Sequence, residues 1–266
     1  MAPVLNKFEI SEQDLRLWCG EGEGSEETRE ILLSIFKERE RSETPHTPFQ
    51  IPQDATVCFL NGTKEEQNLI KGLVEEHYNR IDMAVRFRFV PPSHPHPIAI
   101  RIAVTKTGVS ITWTGARLES PQVPNMVINL TQRSPNIQQS AILHSFAIAL
   151  GMGPQHKHPD SGIIWNDAYY EEQERRGTPT YDPRLEAAKP IQYFATAPYD
   201  RDSIMHDAIP TYVTTNLTED IPERWLLSRG DKEYLMSRYP KSSEEPPPPT
   251  VRSLKTTRMG KEKNKR

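Results

Sequence analysis

Apolar residues recur along this chain with two different periods, and the stretches that carry them alternate. Residues 25–41 gather Ile31, Leu32, Ile35 and Phe36 on one helical face behind a capping Ser25, which predicts an amphipathic helix in need of a partner. A shorter helix is expected over residues 11–18, capped by Ser11 and ended by the glycine-rich 20–24 segment. From residue 48 the pattern changes. Residues 56–60 read as a buried strand closed by Asn61-Gly62. Leu69, Ile70, Leu73, Val74, His77, Tyr78 and Ile81 then recur at helical spacing, predicting a helix over residues 64–83. Residues 85–89 alternate as a half-buried strand does, and 98–104, 110–113 and 126–130 give three more short strands. Ser134-Pro135 opens a second, strongly apolar helix, expected over 136–150 and stopped at Gly151. Beyond it the chain reads as loops until a last helix near 229–238. The order is strand, helix, four strands, helix, irregular half and terminal helix. That is α+β.

Composition limits what such a fold can do. The 266 residues include 33 basic and 36 acidic side chains, a net charge of −3 that argues against a dedicated nucleic-acid binder. The longest apolar runs, such as 147–152, fall far short of the roughly 20 residues a membrane span needs, so no membrane embedding is expected. Proline, at 24 residues, is nearly twice as frequent as the usual about 5%, which leaves part of the chain outside any core. Residues 251–266 carry seven Lys/Arg against the single acid Glu262 and follow four prolines at 246–249, an extended spacer. This tail reads as a solvated terminus, with a nuclear-localisation or phosphate-binding patch as the alternative. The chain thus divides into a helical extension (1–47), a folded body (48–240) and a Pro-rich spacer with a basic disordered tail (241–266). Cys19 and Cys58 are too few for a disulfide framework and fit a reducing compartment. Lys7, Glu9, Glu12, Asp14 and Arg16 interrupt the first 17 residues, so no secretory signal is read. A cytoplasmic or nuclear location is expected, and the sequons at Asn61, Asn129 and Asn216 are then chance.

The chemistry-bearing residues collect on and after the second helix. His144-Ser145-Phe146-Ala147-Ile148-Ala149-Leu150-Gly151-Met152-Gly153-Pro154 lies along the motif H-E-x-x-H-x-x-G-x-x-H. Gln155-His156-Lys157-His158-Pro159 follows, and Tyr199-Asp200-Arg201-Asp202-Ser203-Ile204-Met205-His206 comes later. With Asp231-Lys232 and Tyr239-Pro240, these segments resemble the astacin-like zinc metallopeptidases of the metzincin superfamily, the fungal and bacterial type in particular. The resemblance spans residues 48–240. It implies a zincin-like fold: an N-terminal mixed β-sheet with a backing helix and an active-site helix, and an irregular C-terminal subdomain. A structural methionine turn would fall at Ser203, Met205 and His206.

The physics of that motif shows what has changed. Two histidines four apart on a helix grip one zinc together, and a third arrives after the glycine turn. The glutamate beside the first takes a proton from the metal-bound water. Here His144 stands at the first ligand position. Ser145 holds the general-base position, Ile148 and Pro154 the other two ligand positions, and Asp207 the place of a tyrosine that assists at the metal. Isoleucine and proline side chains have no lone pair, and a serine hydroxyl is no base near neutral pH. Ile148, if fully enclosed, would instead add roughly 1.5–3 kcal/mol of apolar burial.

His156 and His158 could join His144 in a rebuilt site, but a histidine pair in a polar loop reads first as solvated, as do His94 and His96 in the proline-rich loop before them. The expectation is a metallopeptidase-domain protein that is catalytically inactive, holds no cofactor, and acts as a peptide- or protein-binding module or scaffold. The alternative is an active zinc metallopeptidase with a rearranged ligand set. The expected partner is a peptide or protein in the former substrate cleft, with nucleic acid approached only by the tail. In the family, substrate adds to an edge strand, and Met126, Val127, Ile128 and Asn129 occupy the matching stretch.

Overall fold

The computed structural model describes residues 25–41, 51–108, 110–112, 121–131, 134–176 and 198–241. The expected 11–18 helix, the proline spacer and the basic tail lie outside them. In chain order the elements are α1 (Ser25–Arg41), β1 (Asp54–Phe59), α2 (Lys64–His77), β2 (Arg86–Phe89), β3 (Ile100–Thr105), β4 (Ile111–Thr112), β5 (Met126–Asn129), α3 (Pro135–Ala149), α4 (Asp167–Arg175) and α5 (Arg229–Arg238). They make a mixed α+β fold around one five-stranded sheet of order β2-β1-β3-β5-β4. The first four of these strands run parallel and β4 is antiparallel to β5.

Both faces of the sheet are covered. On one face Val57, Ile102, Val104 and Ile128 meet Ile70 and Val74 of α2 and Ile142, Leu143 and Phe146 of α3. The buried Tyr78, which caps α2, donates its hydroxyl to the Leu143 carbonyl and so ties the two helices together. On the other face Leu32 and Ile35 of α1 pack on Val127, with Ile111 and Val123 beside them. The Thr28 and Thr107 hydroxyls lie 3.0 Å apart along the same contact. The body of the same chain is therefore the partner that the apolar face of α1 required; the side chain of Phe36 lies outside the described residues.

The pattern-based elements hold with three corrections. α2 stops at His77 instead of continuing to 83. Ile81 and Met83 are buried from a turn that Asn79 pins to β2, its side chain bonding both the N–H (2.8 Å) and the carbonyl (2.9 Å) of Phe87. Burial, not helicity, spaced those apolar residues. α4 falls inside the stretch read as loop. Its cap Asn166 and first-turn Asp167 were the available signal, but only Tyr170 is buried, so no apolar stripe marks it. Lastly, residues Met126–Asn129 are no edge strand. β5 is paired on both sides, and the edge is β4. All four β5 residues are buried, as parallel strands covered on both faces are. Among the described residues no helix is long and apolar enough to cross a membrane.

Candidate functional site

α3 begins as its sequence dictates, with the Ser134 hydroxyl accepting from Ile137 N and Pro135 in the first turn. It ends where Gly151 takes a φ of 82°. Its inner turns carry His144, Ser145 and Ile148, the residues that the sequence resemblance sets against a zinc motif. His144 is half-buried, and its Nδ1 lies 3.1 Å from the Ile204 carbonyl oxygen. A carbonyl only accepts, so Nδ1 carries a proton and donates it to this contact. That backbone contact is the kind that orients a ligating imidazole.

The other positions do not follow. Ser145 is 2% exposed and donates its hydroxyl to the Ala141 carbonyl one turn back, at 2.8 Å. The hydroxyl is thereby committed to its own helix. Ile148 packs against the main core but is only half-buried, so the burial gained there is less than full enclosure would give. Pro154 is half-buried and opens a short 3-10 turn over Gln155–Lys157. One imidazole, a committed hydroxyl and two side chains without donor atoms do not fit a zinc ion. Among the described residues no three His, Cys, Asp or Glu side chains are grouped to hold a metal.

Beneath His144 the Ser203–His206 turn is fully tied down. Asp231, 2% exposed at the start of α5, accepts from the Ser203 hydroxyl, from Ile204 N at 2.8 Å and from Ser228 N at 2.9 Å. Burial raises the Asp231 pKa, and these three donors partly offset it. The Ser228 hydroxyl in turn accepts from Asp231 N and donates to Asp200 Oδ2 at 2.6 Å. Gly230 is what lets Asp200 approach, because a Cβ there would collide with that carboxylate. Gln155 closes the ring, donating its N–H to the Met205 carbonyl and accepting from Asp200 N, both at 2.9 Å.

His156 and His158 are each 5% exposed, which corrects the reading of solvated loop residues. His156 Nδ1 lies 3.4 Å from Asp207 Oδ2, and its ring meets those of Trp165 and His206 edge-on. His158 Nδ1 accepts from Asp160 N at 3.1 Å and caps the next 3-10 turn. A nitrogen that accepts an N–H carries no proton, so the Asp160 carboxylate 3.8 Å away is not its ion-pair partner. His206 donates from Nδ1 to the Asp207 carbonyl (3.0 Å) and accepts at Nε2 from the Tyr199 hydroxyl (3.1 Å). Burial lowers the His206 pKa and raises that of Tyr199, which in each case favours the neutral form. Asp207 itself is exposed. Trp165, which sequence reading passed over, meets His156 and is itself met edge-on by Tyr170 of α4. A cavity of about 680 Å³ opens beside this imidazole cluster, between Met152, Tyr199, Gly230 and Tyr234.

A mixed five-stranded sheet with an antiparallel edge and two helices packed on one face matches a metallopeptidase-like fold. Two solved structures carry the likeness. One structure of myroilysin, a metallopeptidase of the astacin-like type, superposes with a TM-score of 0.59 at 24% identity, over 71% of this chain and 93% of that one. A crystal structure of myroilysin gives a TM-score of 0.51, again at 24% identity, over 76% and 88%. At that identity the likeness establishes the fold. No protein-family profile and no curated protein sequence matches the chain.

Proposed function

We propose that this chain is a catalytically silent metallopeptidase-like domain that holds a peptide or protein segment in the cleft where enzymes of this fold cut theirs. The observation that carries the reading is Ser145. At the position of the general base stands a buried hydroxyl already donated to Ala141, flanked along the motif by Ile148 and Pro154, which offer a metal nothing. In this reading the Ser203–His206 turn is the counterpart of the methionine turn, and Asp231 secures it without help from a metal. No cofactor takes part. Binding by strand addition needs only free backbone groups, and β4 has no strand on its outer side among the described residues. The neighbouring cavity offers concave space without reactive chemistry.

The test is zinc content after dialysis against a chelator, measured beside cleavage of a broad peptide library. The expected result is no retained zinc, no cleavage, and a melting temperature indifferent to the chelator, since a metal bound only by the folded state would stabilise it. One tightly held zinc with chelator-sensitive cleavage would overturn the reading in favour of an active peptidase with a rearranged ligand set.

A further inference from the structure

The connection between β2 and β3 reads Pro91-Pro92-Ser93-His94-Pro95-His96-Pro97, and the cleft chemistry uses none of it. Proline fixes φ, so four prolines in seven residues leave this loop little conformational freedom. Its ends are fastened to β1: Val90 N donates to the Val57 carbonyl at 2.8 Å, and the Thr56 hydroxyl donates to the Pro97 carbonyl at 3.0 Å. Inside it, His94 N donates to the Pro91 carbonyl at 3.0 Å.

The stiffened loop brings two imidazoles together. The His94 and His96 ring centroids are 5.5 Å apart, with planes at 73°. Two imidazoles side by side on one ion, with metal–nitrogen bonds of about 2.0–2.1 Å, have centroids roughly 4.5 Å apart at the right angle of a tetragonal site and roughly 5 Å apart at a tetrahedral angle. The observed pair is close to the wider of these spacings. A second, independent observation points the same way: His94 Nε2 is buried and has no hydrogen-bond partner among the described residues. Such an atom is costly to leave unsatisfied.

We propose that His94 and His96 form a surface site for a late divalent transition ion, copper(II) foremost and nickel(II) next, with water completing the coordination shell. Imidazole nitrogens favour these ions in the order of intrinsic affinity that peaks at copper, whereas magnesium and calcium seek oxygen ligands. The site shares no residue with the 144–207 region. It stands or falls separately from the silent-cleft reading.

The experiment is calorimetric titration of the full chain with copper(II), buffered by glycine as a weak competitor, alongside electron paramagnetic resonance of the bound ion. The unaltered chain should take up one equivalent and show coupling to two imidazole nitrogens. The H94A/H96A double variant, checked for folding by its thermal melt, should bind at least about tenfold more weakly. The His144→Ala variant should bind as the unaltered chain does, and excess magnesium should not compete. Undiminished uptake by H94A/H96A, a single coupled nitrogen, or no uptake by the unaltered chain would each overturn the proposal.

Discussion

The inner turns of α3 and the Ser203–His206 turn touch each other through the His144–Ile204 contact, yet they are held by opposite means. On α3 the positions that would do chemistry are occupied by groups that ask nothing of their surroundings. Ser145 satisfies its hydroxyl within its own helix, and Ile148 joins the core. In the turn, by contrast, nearly every polar group is paired across elements, and one buried carboxylate, Asp231, serves three donors. The support is built as an interdependent network, while the positions it would support stand alone. In the proposed silent-cleft reading such an arrangement needs no metal to fold, because the hydrogen bonds that hold the turn run between protein groups. Changes in the network should therefore be expensive and changes at the motif positions cheap.

The largest effect belongs to Asp231→Ala. It strands two backbone N–H groups and a hydroxyl in a buried setting, and unfolding in urea should record a loss on the order of 3 kcal/mol or more. Asp231→Asn, which keeps one accepting oxygen, should lose less. A cost below about 1 kcal/mol for the alanine variant would mean that water reaches the turn and the contrast is overdrawn.

Next comes Gly230→Ala, which drives Asp200 away from the start of α5 and should cost about 1–3 kcal/mol. Asp200 couples the two ends of this effect. In an Asp200→Ala background the Gly230→Ala penalty should largely disappear, and strictly additive costs would show that the glycine matters for another reason.

Acid should reach the same region through His206. Burial holds its pKa below the usual 6.5, so the unfolded chain takes up a proton that the folded chain resists. The stability contributed is complete above pH 6.5 and is lost as the pH falls through and below that value. Asp231 works in the opposite sense, because its raised pKa lets the folded form take up a proton at a higher pH than the unfolded chain does. Melting temperatures recorded from pH 8 downward should fall below 6.5 in the unaltered chain and fall less in His206→Asn. Identical pH profiles for the two would remove His206 from the account.

How much of this was legible beforehand follows from what each residue must satisfy. The capping of α3 by Ser134-Pro135 and its stop at Gly151 are local devices, and they appear within a residue of where the pattern puts them. The residues set against the zinc motif, Ser145, Ile148 and Pro154, are read from the sequence by resemblance alone. What the pattern hides is non-local. Apolar spacing carried α2 too far, because Tyr78, Ile81 and Met83 are buried through a turn. The edge was assigned to Met126–Asn129, because only the sheet order reveals that β4 closes that side. His156 and His158 were read as solvated, because the rings they meet, Trp165 and Tyr199, come from other loop segments that carry no apolar stripe.

The smallest effect should come from Ser145→Ala. Its hydroxyl is paired only one helical turn back, so removing it should move stability by no more than about 0.5 kcal/mol in either direction. A loss above about 2 kcal/mol would give this serine a partner elsewhere and undo the contrast with Asp231.

Zinc titration tests the silent-site claim most directly. It should be run on the H94A/H96A chain, so that the surface imidazole pair does not contribute, and on the same chain carrying Ile148→His and Pro154→His. His144 and a histidine at 148 lie one helical turn apart, and Gly151 already turns the chain toward 154, so the added side chains restore three imidazoles around one ion. The account predicts no tight zinc binding before the two substitutions and one equivalent after them. One equivalent held tightly before them would contradict the silent site. No gain after them, in a folded variant, would contradict the alignment of His144, Ile148 and Pro154 with a metal centre.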